Sequence, residues 1–195
     1  MSVYSPALLE LGGKAPMIVL EDADIDAAVA AAGFGAYMNQ GQICMSTERL
    51  IVHEDIADEF VAKMTEKVKS LKVGDPREGK TPLGCVIDQA AAERIESVIR
   101  DATDKGAALA AGGGRTGTLV EATLLDRVTP SMRIAKRIES GICHINGPTV
   151  HDEAQMPFGG TKNSGYGRFG GMAGVAEFTE LRWITIQDGT PHYPI

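Results

Sequence analysis

Cysteine is scarce in this sequence: Cys44, Cys85 and Cys143 are odd in number among 195 residues, and no two of them form a C-x-x-C pair. That excludes a disulfide framework and a cysteine-built zinc site, and fits reduced thiols. Positive charge is also short, with 19 Lys and Arg against 26 Asp and Glu and a net charge of −7. Nucleic acid and anionic membrane both need basic surface, so neither is an expected partner. No apolar run approaches the roughly 18 residues of a membrane span. The opening MSVYSPALLELGG lacks the basic start and apolar core of a signal peptide, which makes a cytoplasmic location the expectation. Repeats, low-complexity stretches and a clear domain boundary are missing too.

What is present reads as a globular domain with ample chain to bury a core, 44% of its residues being hydrophobic. Pro16–Leu20 is a short apolar strand, and Asp24 is placed to cap a helix through the alanine-rich IDAAVAAAGFGAYM. RLIVH is a β-branched strand. The next helix spans Ile56–Leu71, with Ile56, Phe60, Met64, Val68 and Leu71 at helical spacing. A second long helix, Gln89–Lys105, carries Ile95, Val98 and Ile99 on one stripe. AALAAGGG, TLVEATLLD, ICHIN (142–146) and LRWITIQ (181–187) are strand-like. Strands alternating with helices at this spacing predict an α/β fold with a largely parallel sheet.

Four stretches bear chemistry. In LELGGKAPMIVL the carboxylate of Glu10 stands directly before Gly12–Gly13 and an apolar strand, a base at a tight turn or a solvated surface acid. In NQGQICMST, Cys44 follows Asn39, Gln40 and Gln42, amides that can stabilise a thiolate or a developing oxyanion. A buried structural thiol is the competing reading, and Cys85 and Cys143 are both read that way. PFGGTKNSGYGRFGG contains G-x-G-x-x-G at Gly165, Gly167 and Gly170. The dinucleotide fingerprint needs a buried strand before its first glycine, and TKNS is polar. The favoured reading is a loop whose backbone packs close to another segment. Adjacent His151, Asp152 and Glu153 point to opposite faces of an extended chain and make no metal site. Lys14 and Lys162 read as solvated or paired charges, and Trp183 as a packing or interface anchor.

In this order, LELGGKAP, MNQGQICMST and PFGGTKNSGYGRFGG resemble the catalytic domain of the NAD(P)-dependent aldehyde dehydrogenases, over nearly the whole chain. The resemblance implies a three-layer α/β sandwich, in shortened form. It implies that Cys44 attacks an aldehyde carbonyl, that Glu10 activates the water that cleaves the resulting thioester, and that NAD or NADP accepts hydride. Phe158 matches a position lining the aldehyde tunnel and Ile43 neighbours the thiol. HINGPTVHDEAQMPFGG looks most like members acting on aromatic aldehydes such as salicylaldehyde, vanillin and benzaldehyde. An aromatic wall suits a flat ring.

The sequence also departs from the family. Members carry a large N-terminal coenzyme region and, between the equivalents of Ile134 and Ala135, a segment with an E-x-F-G-P motif that holds the nicotinamide ribose; neither is found here. At the short join, Ser131 is placed to cap a helix through Ser140. Coenzyme binding is therefore expected to be weakened. Residues 1–180 read as the catalytic domain and 181–195 as an oligomerisation strand and tail, so a homo-oligomer is expected. A cofactor-independent thiol esterase and a catalytically impaired assembly module are the alternatives.

Overall fold

The structure is a computed structural model that describes residues 7–13, 15–79, 81–129, 144, 146–180, 182–184 and 186. Its centre is a strand–helix–strand unit. β2 (Ala15–Val19) pairs in parallel with β3 (Thr47–Val52), and α1 (Ile25–Tyr37) makes the crossover. The register runs Met17↔Leu50 to Val19↔Val52 and shifts between Ala15 and Pro16, where proline has no N–H for the ladder. α1 starts where the Asp24 carboxylate accepts from the Ala27 N–H at 3.0 Å. Its small side chains allow close approach, and Ala28, Val29 and Ala32 are buried against α2.

α2 (Glu54–Ser70) begins two residues before the predicted start at Ile56. The His53 ring supplies the reason: its Nδ1 accepts from the Asp55 N–H at 3.4 Å, and acidic Glu54 and Asp55 suit the positive end of the helix. Phe60, Met64 and Val68 recur at four-residue spacing and are the largest fully buried side chains. With Val19, Ala32 and Leu83 they form the main core. Tyr37 reaches from the end of α1 to the Thr123 carbonyl at 2.8 Å, and burial pushes its phenol well above the usual range. α3 (Gln89–Asp104) is capped by Asp88, whose carboxylate accepts from the Ala91 N–H at 2.7 Å.

After α3 the chain turns to short antiparallel pairs. β4 (Ala108–Ala111) pairs with β7 (Leu124–Asp126), and β5 (Arg115–Thr116) with β6 (Leu119–Val120). The predicted continuous strand TLVEATLLD is thus two strands. Gly112, at φ +72°, turns the chain so tightly that a Cβ there would meet the Ala122 carbonyl. Far back in the sequence, β1 (Leu9–Glu10) pairs antiparallel with β8 (Gly165–Tyr166), and α4 (Gly171–Glu177) follows.

The α/β class holds, but among the described residues β2–β3 is the one parallel strand pair and the other three are antiparallel. Parallel pairing needs a crossover, and the short glycine turns after α3 permit only reversals. Cys85, read as a packing residue, is exposed, because it lies in an irregular stretch before α3 rather than in a strand. At the predicted strand 181–187, the described residues carry no pairing; Trp183, Ile184 and Ile186 are exposed. Lys14, Cys143, most of ICHIN and the Ser131–Ser140 helix lie outside the described residues. No described helix is long and apolar enough to cross a membrane.

Candidate active site

Cys44 stands in the loop between α1 and β3. Asn39, Gln40 and Gly41 take left-handed φ of 51°, 57° and 70° in succession, which folds the chain back on itself after α1. The loop then closes on buried Ser46, whose hydroxyl accepts from the Ile43 N–H at 3.3 Å and whose N–H donates to the Ile43 carbonyl at 2.9 Å. Cys44 is exposed at its tip.

The amides expected to face the thiol are occupied elsewhere. Gln42 Oε1 accepts from the Ile87 N–H at 2.8 Å, and Gln42 Nε2 donates to the Asn39 carbonyl at 3.4 Å and Gln40 Oε1 at 3.3 Å. Asn39 Nδ2 returns a bond to the Gln42 carbonyl at 3.4 Å. These side chains shape the loop and tie it to the segment before α3.

Glu10 comes from the other end of the fold. Its strand is held by the β8 ladder and by the Leu11 N–H, which donates to the Ser164 carbonyl at 2.8 Å. Gly12, at φ +84°, then turns the chain away. The Glu10 carboxylate accepts from the Gly160 N–H at 3.2 Å. A Cβ on Gly160 would sit 2.5 Å from the Ser164 carbonyl, and one on Gly165 would meet the Leu9 carbonyl. The glycine-rich loop therefore packs its backbone against β1. Filled by its own chain, it offers no nest for a pyrophosphate.

Glu10, Cys44 and Phe158 line one cleft of about 790 Å³, bounded on its far side by β2 and α1. Phe158 is fixed by reciprocal backbone bonds to Phe169 (2.7 and 2.9 Å), and the two rings lie 4.9 Å apart, tilted by 45°. Ile43 is half-buried and is not among the cleft-lining residues. His144, Asn146 and Thr149 also line the cleft. Reading ICHIN as a buried strand hid the first two. Asn146, at φ +56°, was the available signal, since asparagine before glycine marks a turn. Thr149 reaches the buried Thr47 hydroxyl at 2.6 Å and so ties this segment to β3. His144 Nε2 is buried without a hydrogen-bond partner, and its ring meets that of His151 edge-on at 5.4 Å.

Among the described residues, the formal charge lining the cleft is negative. Glu10, Asp22 and Asp24 line it, and no described lining residue is Lys or Arg. Such a site suits a neutral ligand and repels an anion.

The aldehyde dehydrogenase family pattern matches residues 2–137 and again 132–184. A vanillin dehydrogenase of Pseudomonas fluorescens is 50% identical over 97% of this chain and 49% of its own length. A salicylaldehyde dehydrogenase of Pseudomonas putida is 46% identical over 96% of this chain and 49% of its own length. The crystal structure of the salicylaldehyde dehydrogenase of Pseudomonas putida G7 with salicylaldehyde superposes with a TM-score of 0.88, at 44% identity over 96% of this chain and 49% of that one. The chain thus spans about half the length of the curated relatives it matches. The vanillin dehydrogenase alignment runs over 237 positions, more than the 195 residues present, so the relative carries residues with no counterpart here.

Proposed function

The chain belongs to the aldehyde dehydrogenase family, and on that premise we propose that it carries the acyl-transfer half of an aromatic-aldehyde oxidation. Cys44 is the nucleophile: its sulfur bonds to the aldehyde carbon and gives a thiohemiacetal. The hydride whose loss converts this to a thioester would pass to a bound nicotinamide coenzyme. Glu10 then takes a proton from water as the water oxygen adds to the thioester carbon; the carbon–sulfur bond breaks, releasing the carboxylic acid and restoring the thiolate. The observation that supports this is the meeting of Glu10 and Cys44, from separate elements, on one cleft. The acidic lining favours a neutral aldehyde entering and a carboxylate leaving. Phe158 is the wall for a flat ring.

NAD or NADP, when bound, supplies the hydride acceptor. The described residues do not fit a dinucleotide: the glycine loop is closed and no described lining residue is cationic. Coenzyme binding by these 195 residues alone is accordingly weak. That favours a second reading for this polypeptide, a thiol esterase using Cys44 and Glu10 without hydride transfer.

The architecture we infer for the whole protein is a three-layer sandwich with a largely parallel sheet. Residues 1–180 form its catalytic domain and 181–195 an oligomerising strand and tail. The exposed Trp183, Ile184 and Ile186 support association between copies.

The test is absorbance of reduced nicotinamide with salicylaldehyde, vanillin and benzaldehyde and each coenzyme, beside ester hydrolysis without coenzyme. Turnover lost in C44S supports the reading. Turnover that survives in C44S overturns it.

A further inference from the structure

We propose that Arg168 is the positioning residue for Glu10, acting through the single residue Gly160; this rests on the reading of Glu10 as base. Arg168 Nη1 donates to the Gly160 carbonyl at 2.6 Å and to the Gly167 carbonyl at 2.8 Å. The N–H of the same Gly160 donates to Glu10 Oε1 at 3.2 Å. One glycine is therefore held from both sides, by a cation on its carbonyl and a carboxylate on its amide.

Gly160 is closely packed. It is wedged against the Ser164 carbonyl, and the turn that follows is closed by Thr161 and Ser164, whose Oγ accepts from the Thr161 N–H and donates to the Thr161 carbonyl, both at 2.7 Å. A Cβ on Gly159 would stand 2.9 Å from Arg168 Cδ and Nη1, so the guanidinium fills the space under the loop. The Arg168 N–H in turn donates to Glu177 Oε2 at 3.4 Å, which anchors the clamp on the last turn of α4.

Bonds to charged groups are the strong ones, and Arg168 bridges two carbonyls at once. Without it, the Gly160–Thr161 peptide loses its charged anchor, Gly160 can turn about its own backbone dihedrals, and its N–H no longer holds the carboxylate at a fixed aim toward the thioester. Misplacement by about 1 Å costs up to about 100-fold in rate. Arg168 touches neither substrate nor thiol, so formation of the acyl-enzyme is spared.

The test uses 4-nitrophenyl acetate with the 195-residue chain. Release of the first nitrophenolate reports Cys44 acylation, and the steady rate reports the water step. In R168M, which keeps the aliphatic stem and removes the donors, the burst is expected within about twofold of wild type while the steady rate falls about tenfold or more. R168K, with one ammonium in reach of one carbonyl, restores part of that loss. Adding R168M to E10Q produces no further loss, because both act on one carboxylate.

Hydrogen exchange at the Gly160 amide reads the clamp without turnover: it is expected about tenfold faster in E10Q and R168M and near wild type in R168K. Unchanged Gly160 exchange and steady rate in R168M overturn the proposal, as does equal loss of both kinetic phases with no rescue in R168K. If R168M does not fold, R168K decides alone, and a steady rate no better than that of E10Q overturns it. An E10Q steady rate equal to wild type removes Glu10 as base, a failure distinct from that of the clamp.

Discussion

The two walls of the cleft are held together by different forces. On the Cys44 side, β2, β3, α1 and α2 enclose Phe60, Met64 and Val68, and stability comes from apolar burial. On the Glu10 side, no apolar side chain among the described residues 146–186 is fully buried, while Met172 and Phe178 are largely exposed. That wall stands on backbone contacts: the β1–β8 ladder, the Gly160 and Gly165 packing, and the Arg168 clamp. The proposed nucleophile thus sits on a packed core and the proposed base on a mesh of hydrogen bonds. A packed core resists local change, while a hydrogen-bonded mesh opens at lower cost and adjusts without unfolding the rest.

Four substitutions test that contrast. The largest effect is expected from C44S: acyl transfer falls by at least about 10³-fold, because a serine hydroxyl is a far weaker nucleophile at neutral pH. Its thermal unfolding by circular dichroism should stay unchanged, since the side chain is exposed. F60A should then cost about 3–5 kcal/mol in urea unfolding, as a large cavity opens at the centre of the packed wall. G165A strikes the other wall by driving a methyl into the Leu9 carbonyl. Its expected signature is a tenfold to hundredfold slower water step, roughly, with most of the global stability retained. Should G165A unfold the chain as severely as F60A, the two walls are one cooperative unit and the contrast fails. D88A is the mildest, at about 1 kcal/mol for the lost cap, read as a shifted urea midpoint.

The packed wall was legible in the sequence and the bonded wall only in outline. Asp24 caps its helix where a polar residue meets apolar periodicity, and Phe60, Met64 and Val68 mark their own face. Those signals are local. α2 was misjudged by two residues because histidine is an uncommon cap.

Sheet direction was not legible, because it depends on turns such as Gly112 that reverse a strand-like run. The Gln42 and Asn39 amides carry no mark of which partner they choose, and they choose the Ile87 N–H and each other instead of the thiol. The role proposed for Glu10 rests on resemblance, and its tie to Gly160 spans most of the chain and has no periodic signature.

The bond from Gln42 to Ile87 has a consequence for motion. Ile87 directly precedes Asp88, the cap of α3, so the thiol loop and the first turn of that helix share one anchor. Amide exchange at Ile87 and Ala91 should accelerate together in Q42A, by a factor of roughly ten if the bond is worth about 1.4 kcal/mol. The loop bearing Cys44 is then expected to open in step with a helix that does not line the cleft.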